Sequence, residues 1–292
     1  MAAIVYDLLE TGNTYPDFRY GLFTDLFGKN SKPYVDASGV ARIGPAIDLE
    51  ASLEIVATQV LGAAPDIALL GLLSDVVSKT YEAGDSKLLQ NRLDKVLKDW
   101  ASENGLPNFP DAFVFANDNQ VKAALAPTLV DIEGSLENWG DIGIPLSEER
   151  AVVASLAYRG YDVSNIMDAM VFNGDRIAPW IEIRYMDRAG AASPNDAGAA
   201  RRYYQSAQFE LYNNPDSVAY DEAVDVGQAY TGQRNRILSY EKDFNPAEIG
   251  LKKDGGRDGI ADFLQPAIDA VAQHYFAEVR HADELLFTSG RT

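Results

Sequence analysis

Apolar residues recurring every three or four positions, in one segment after another, constrain this chain most. Between Ser86 and Asn104 they fall at Leu88, Leu89, Leu93, Val96, Leu97 and Trp100, the spacing that gathers side chains on one face of an α-helix. The same reading predicts helices over Ala2–Glu10, Tyr15–Gly28, Leu49–Leu61, Asp66–Tyr81 and Asn117–Leu129. It continues through Ser147–Ala157, Asn165–Phe172, Ile177–Tyr185, Ala199–Leu211, Ser217–Ser239 and Pro266–Leu286. Asn117 and Ser147 are placed as N-terminal caps and Gly62 as a C-terminal cap. One stretch breaks the pattern. Tyr34–Ile47 reads as short extended pieces around Ser38-Gly39 and Gly44-Pro45. Ala189–Gly198 and Lys252–Gly259 read as loops, the second with too few spaced oxygens for a calcium loop. The expected fold class is mainly α, with one small antiparallel β-hairpin region.

Composition removes several kinds of chemistry. With no cysteine there is no disulfide, no thiolate nucleophile and no Cys-ligated zinc. The two histidines, His274 and His281, stand in neither an HExxH nor a GxSxG pattern, so no metal or cofactor is expected. A formal charge of −19 with scattered Lys and Arg lacks the footprint of a nucleic-acid binder. No apolar run reaches the roughly 18 residues of a membrane span, since Gly71, Ser74 and Asp75 interrupt Ile67–Val77. Met1–Asp7 has no basic n-region and meets an acid early, so no signal peptide is expected. If the protein works outside its cell of synthesis, something else must then carry or release it.

Three segments, in order, resemble the phage-type lysozymes, which cleave the sugar backbone of peptidoglycan. Pro33–Gly44 is similar to the family's Tyr-x-Asp-x-x-Gly-x-x-Thr-Ile-Gly hairpin, through Tyr34, Asp36, Gly39, Ile43 and Gly44. Ser147–Leu156 running into Ala157-Tyr158-Arg159-Gly160 resembles the helix ending in Phe-Asn-x-Gly. Trp180, Arg184-Tyr185, Gly198, Arg201-Arg202 and Phe209 follow a pattern of larger endolysin-like members. The resemblance covers roughly residues 2–213. It implies a two-lobed lysozyme-like domain: an N-terminal lobe over 1–85, a linking helix over 86–104 and a helical lobe over 105–213. A helical extension, 214–292, lies outside it and is a candidate surface for an assembly partner.

The family's chemistry uses two carboxylates, one to protonate the leaving oxygen and one to activate water or attack carbon. Asp36 falls on the second carboxylate. An Asp capping the Ser38-Gly39 turn is the alternative role. The acid position falls on Phe27, followed by Gly28 as in the family, and phenylalanine has no proton to give. Glu10 becomes the candidate acid if 12–28 is an insertion. Asp25, two residues before Phe27, points to another helix face. The hairpin Thr, which holds the catalytic water in the family, is Arg42 here, placed to pair with Asp36 and lower its pKa. The Asn of Phe-Asn-x-Gly is Tyr158, and a Glu common four residues after the Arg-Arg start is Gln205.

The expected catalytic pair is therefore Glu10 and Asp36, with Arg42, Tyr158 and Arg201 as substrate-contacting candidates. Tyr185, Tyr203 and Tyr204 are further candidates to stack on sugars, with core packing as their alternative. The implied function is a muramidase acting on peptidoglycan or a related glycan. Its rival is a protein that keeps the fold without the catalysis and serves as a structural or binding component. The substituted polar positions fit the rival, and a shifted alignment would produce them too.

Overall fold

Leu89, Leu93 and Leu97 in the helix Ser86–Glu103 are fully buried at four-residue spacing, as the periodicity predicts. The computed structural model describes residues 4–9, 14–185, 196–243 and 259–289. Among them are twelve α-helices and a single three-stranded antiparallel sheet, so the chain is mainly helical. In chain order these are α1 (Thr14–Phe27), β1 (Asn30–Val35), β2 (Ala41–Gly44), β3 (Ile47–Asp48), α2 (Leu53–Leu61), α3 (Ile67–Val77), α4 (Ser86–Glu103) and α5 (Asp118–Thr128). They continue as α6 (Val130–Glu137), α7 (Glu148–Tyr158), α8 (Ser164–Val171), α9 (Ile177–Tyr185), α10 (Asp196–Phe209), α11 (Tyr220–Asp243) and α12 (Ile260–Ser289). None is long and apolar enough to cross a membrane.

The chain divides into a continuous unit, Pro16–Gly134, and a discontinuous one, Met1–Tyr15 with Ser135–Thr292. α4, expected as a link between lobes, lies within the continuous unit. Residues 214–292 belong to the same unit as 135–213.

In the continuous unit the sheet runs β1-β2-β3. Ile43 and Ile47 have no exposed surface, and Leu22, Phe23 and Leu26 of α1, Val56 of α2 and Leu73 of α3 are buried with them. Local signals set the helix ends as expected. Asn117 accepts from the Gln120 backbone N–H at 3.1 Å, and Gly62 closes α2 in the left-handed region at φ 73°.

In the discontinuous unit α9 is buried nearly all round, with Trp180, Ile183 and Tyr185 inaccessible. α10 packs against both α9 and α7, and α11 against α9 and α12. Arg184, 2% exposed, lies 4.2 Å from the Tyr203 ring centre and 4.6 Å from that of Phe263. It donates to Tyr185 Oη at 3.0 Å, Ser206 Oγ at 3.2 Å and Glu241 Oε1 at 3.3 Å. A buried guanidinium needs such partners to offset its desolvation.

Several expectations are corrected. The helix predicted over Ala2–Glu10 is absent over residues 4–9, which run extended, with Leu8 bridged to Ser147. The Ile4 N–H donates to Gly174 O at 3.1 Å, the Leu9 N–H to Leu146 O at 2.9 Å and the Glu148 N–H to Asp7 O at 3.1 Å. Burial alternates, with Ile4 and Tyr6 more covered than Val5 and Asp7, which is a strand's period of two. β1 starts at Asn30, four residues before the expected extended region. α6 was not foreseen, its eight residues including Gly134, Ser135 and three acids. Asp196–Gly198, read as loop, open α10. Residues 189–195 and 252–258 lie outside the described residues.

Candidate functional site

The hairpin is built around the turn that joins β1 and β2, which pair Tyr34 with Arg42 and Val35 with Ala41. The Asp36 N–H donates to Val40 O and the Gly39 N–H to Asp36 O, both at 3.0 Å. Gly39 is needed for two reasons. Its φ is +82°, and a Cβ there would come within 2.6 Å of Tyr81 O.

Asp36 turns its side chain back onto this turn. Oδ1 accepts from the Ser38 N–H at 2.9 Å, the Ser38 hydroxyl at 2.6 Å and the Val40 N–H at 3.1 Å. Oδ2 accepts from Arg42 Nε at 3.1 Å. The Arg42–Asp36 ion pair expected from the six-residue spacing is therefore formed. Arg42 also reaches Asp48 Oδ2 through Nη1 at 3.0 Å. Asp48 Oδ1 in turn accepts the Glu50 and Ala51 N–H groups at 3.0 and 3.1 Å ahead of α2. Asp48 was missed by sequence reasoning because the two-residue strand carrying it gives almost no periodic signal.

Partial burial opposes ionisation of Asp36. The bonds from Ser38, Val40 and Arg42 overcome it, and the carboxyl is held down at about 2. Such a carboxylate stays charged but is a weak base, poorly matched to taking a proton near neutral pH.

The helix before the hairpin ends at Phe27. Gly28, at φ +85°, closes it through an N–H bond to Thr24 O at 2.8 Å. Phe27 packs edge-to-face on Phe23 at 5.5 Å. The ungapped alignment thus places an aromatic ring where the family carries its acid. Asp25 is exposed. Glu10, the other candidate acid, lies outside the described residues.

The remaining candidates belong to the discontinuous unit. Tyr158, the last residue of α7, and Arg201 in α10 are half-buried. Burial, then the Arg159 and Arg202 charges, lower the Arg201 pKa against Tyr161. Arg202 lies 5.4 Å from the Tyr161 ring centre. Arg202 itself is buried, at 5% exposure. Gln205 is buried and donates to Ser155 Oγ at 2.7 Å, so its amide is a core bond. Tyr185 and Tyr203 are 0% and 3% exposed, which assigns them to the core, whereas Tyr204 is half-buried. Asp36 and Arg42 are in direct contact.

Among the described residues no group of three or more His, Asp or Glu is arranged to hold a metal ion. No family model, no curated protein and no solved structure matches the chain.

Proposed function

We propose that this chain is a lysozyme-like protein without hydrolytic activity. It serves as a binding or structural component of an assembly that contacts peptidoglycan or a related glycan. The observation that carries the reading is the set of donors around Asp36. Three converge on Oδ1 and the Arg42 guanidinium on Oδ2. A carboxylate that activates water or attacks carbon needs an oxygen turned to the substrate, and here Oδ1 serves the turn and Oδ2 the Arg42 guanidinium. Phe27 at the acid position adds to this, since losing a general acid typically costs 10²–10⁴ in rate. Arg201, half-buried in α10 and within reach of the Arg159 charge, carries positive charge that an anionic wall would attract.

A turbidity assay on purified cell walls, paired with co-sedimentation, tests the reading. Wild type is expected to pellet with walls without clearing them, and Arg201→Ala to pellet less. The double change Phe27→Glu with Arg42→Thr is expected to gain measurable clearing. Clearing by wild type that disappears in Glu10→Gln would overturn the proposal and establish a muramidase using Glu10 and Asp36.

A further inference from the structure

Asparagine followed by glycine occurs twice, at Asn104-Gly105 and Asn173-Gly174. The pair is chemically labile because glycine has no Cβ to shield its amide nitrogen from the preceding side-chain amide. Both asparagines are exposed, and both glycines sit in the left-handed region, at φ +64° and +61°. Solvent access and backbone class are therefore matched, and hydrogen bonding separates the two.

Asn104 is tied down. It caps α4, its Nδ2 donates to Trp100 O at 2.9 Å, and the Gly105 N–H donates to Ser102 O at 3.5 Å. At the second pair both reacting groups are unbonded: among the described residues neither the Asn173 amide nor the Gly174 N–H has a partner. The flanks are fixed instead. The Phe172 N–H donates to Asp168 O at 3.0 Å and the Asp175 N–H to Ala169 O at 2.9 Å. Asp175 Oδ1 accepts the Ile177 and Ala178 N–H groups at 2.8 and 3.3 Å, opening α9. Gly174 O receives the Ile4 N–H at 3.1 Å, and Arg176, two residues on, donates to Val5 O. This loop is thus one end of the seat of residues 4–9.

We infer that Asn173 is a site of spontaneous deamidation, and that the modification unseats the N-terminal segment. The Gly174 nitrogen gives its proton to hydroxide and attacks Asn173 Cγ. The N–Cγ bond forms as the Cγ–Nδ2 bond breaks, and the nitrogen leaves as ammonia with a proton from solvent. Water then opens the cyclic imide at either carbonyl. Opening at Cγ gives aspartate. Opening at the main-chain carbon gives isoaspartate, whose backbone runs through Cβ and Cγ and is one methylene longer. Water enters and ammonia departs, so no oxidant or reductant is needed. The longer backbone between Asn173 and Gly174 displaces Gly174 O from the Ile4 N–H. At Asn104 the bonds to Trp100 and Ser102 must break before the same ring can close. The hairpin takes no part in either step.

Incubation of the full-length protein at mildly alkaline pH, followed by peptide mapping with electron-transfer fragmentation, tests this. Asn173 is expected to convert roughly tenfold faster than Asn104, the ratio set by two hydrogen bonds that must break. In urea, where the fold no longer distinguishes them, the two rates are expected to converge. Hydrogen exchange on the isoaspartate form is expected to show the Ile4 amide roughly fivefold less protected, the effect of one lost hydrogen bond, with the α4 amides unchanged. Asn173→Gln, whose longer side chain would have to close a larger ring, is expected to remove both effects of ageing. The inference is overturned by an Asn104 that converts as fast as Asn173 in the folded protein or by a rate ratio that survives urea. Full Ile4 protection in the isoaspartate form, or equal loss of it on ageing Asn173→Gln, overturns it as well.

Discussion

Replacing Arg42 with Ala deprives Asp36 of its guanidinium donor among the described residues and removes the ion pair to Asp48. The carboxyl now held at about 2, against 3.8 for an ordinary Asp, is expected to rise by about one pH unit, the low end for loss of an adjacent Arg. The energetic scale follows from 1.4 kcal/mol per pH unit. A fall from 3.8 to about 2 is worth at most about 2.5 kcal/mol, and a quarter-exposed side chain is screened by water to about 1 kcal/mol. The sign is fixed by the direction. A carboxyl depressed in the folded state contributes stability above pH 4 that disappears as pH falls through 2. Arg42→Ala is therefore expected to cost about 1 kcal/mol at pH 7 and little below pH 2. A carbon-13 titration of the Asp36 carboxyl reads the first quantity and urea unfolding at the two pH values the second. A carboxyl that stays near 2 in the variant, or a cost independent of pH, would refute the reasoning.

Three other outcomes are expected. Gly39→Ala places a Cβ against Tyr81 O at positive φ and should destabilise by about 1–3 kcal/mol in chemical denaturation. Glu148 is pushed up to about 7 by burial, then by Asp7, Glu149 and Glu210. Its neutral form is the one the fold favours, so stability is complete below the ordinary Glu range and lost as pH rises through 7. Wild-type melting temperature should fall from pH 5 to pH 8, and Glu148→Gln should flatten that slope. Glu149 and Arg176 form an ion pair at 0% and 3% exposure. Glu149→Ala strands a buried cation at a cost of about 3–5 kcal/mol, and calorimetry should show the double change Glu149→Met with Arg176→Met to be milder.

What was legible in the sequence was local. The helices rest on spacings of three and four and on caps a few residues away, and the Asp36–Arg42 pair spans one turn of known geometry. What was not legible depends on partners far along the chain. Ile4, Val5, Leu8 and Leu9 fit a helical face, yet their backbone is bonded to residues 146, 147 and 174, and no window of a dozen residues contains that information. Core packing was the favoured role for Tyr185 and Tyr203, but the partner that fixes it was not legible: Glu241, more than fifty residues from Tyr185 in sequence, is their neighbour. The alignment pointed to Phe27 through its spacing to the hairpin alone, and α1 does end there.

The bridge between Leu8 and Ser147 has a consequence for how the polypeptide is made. Synthesis proceeds from the N-terminus at about 5–20 residues per second, so residues 4–9 emerge on the order of ten seconds before the backbone groups that receive them. The uninterrupted stretch Pro16–Gly134 has all of its own members in hand during that interval and is positioned to fold first, as an insert. Residues 4–9 are thus made well before the backbone that seats them, with Val5 and Leu8, 60% and 68% exposed even when seated, uncovered throughout the wait.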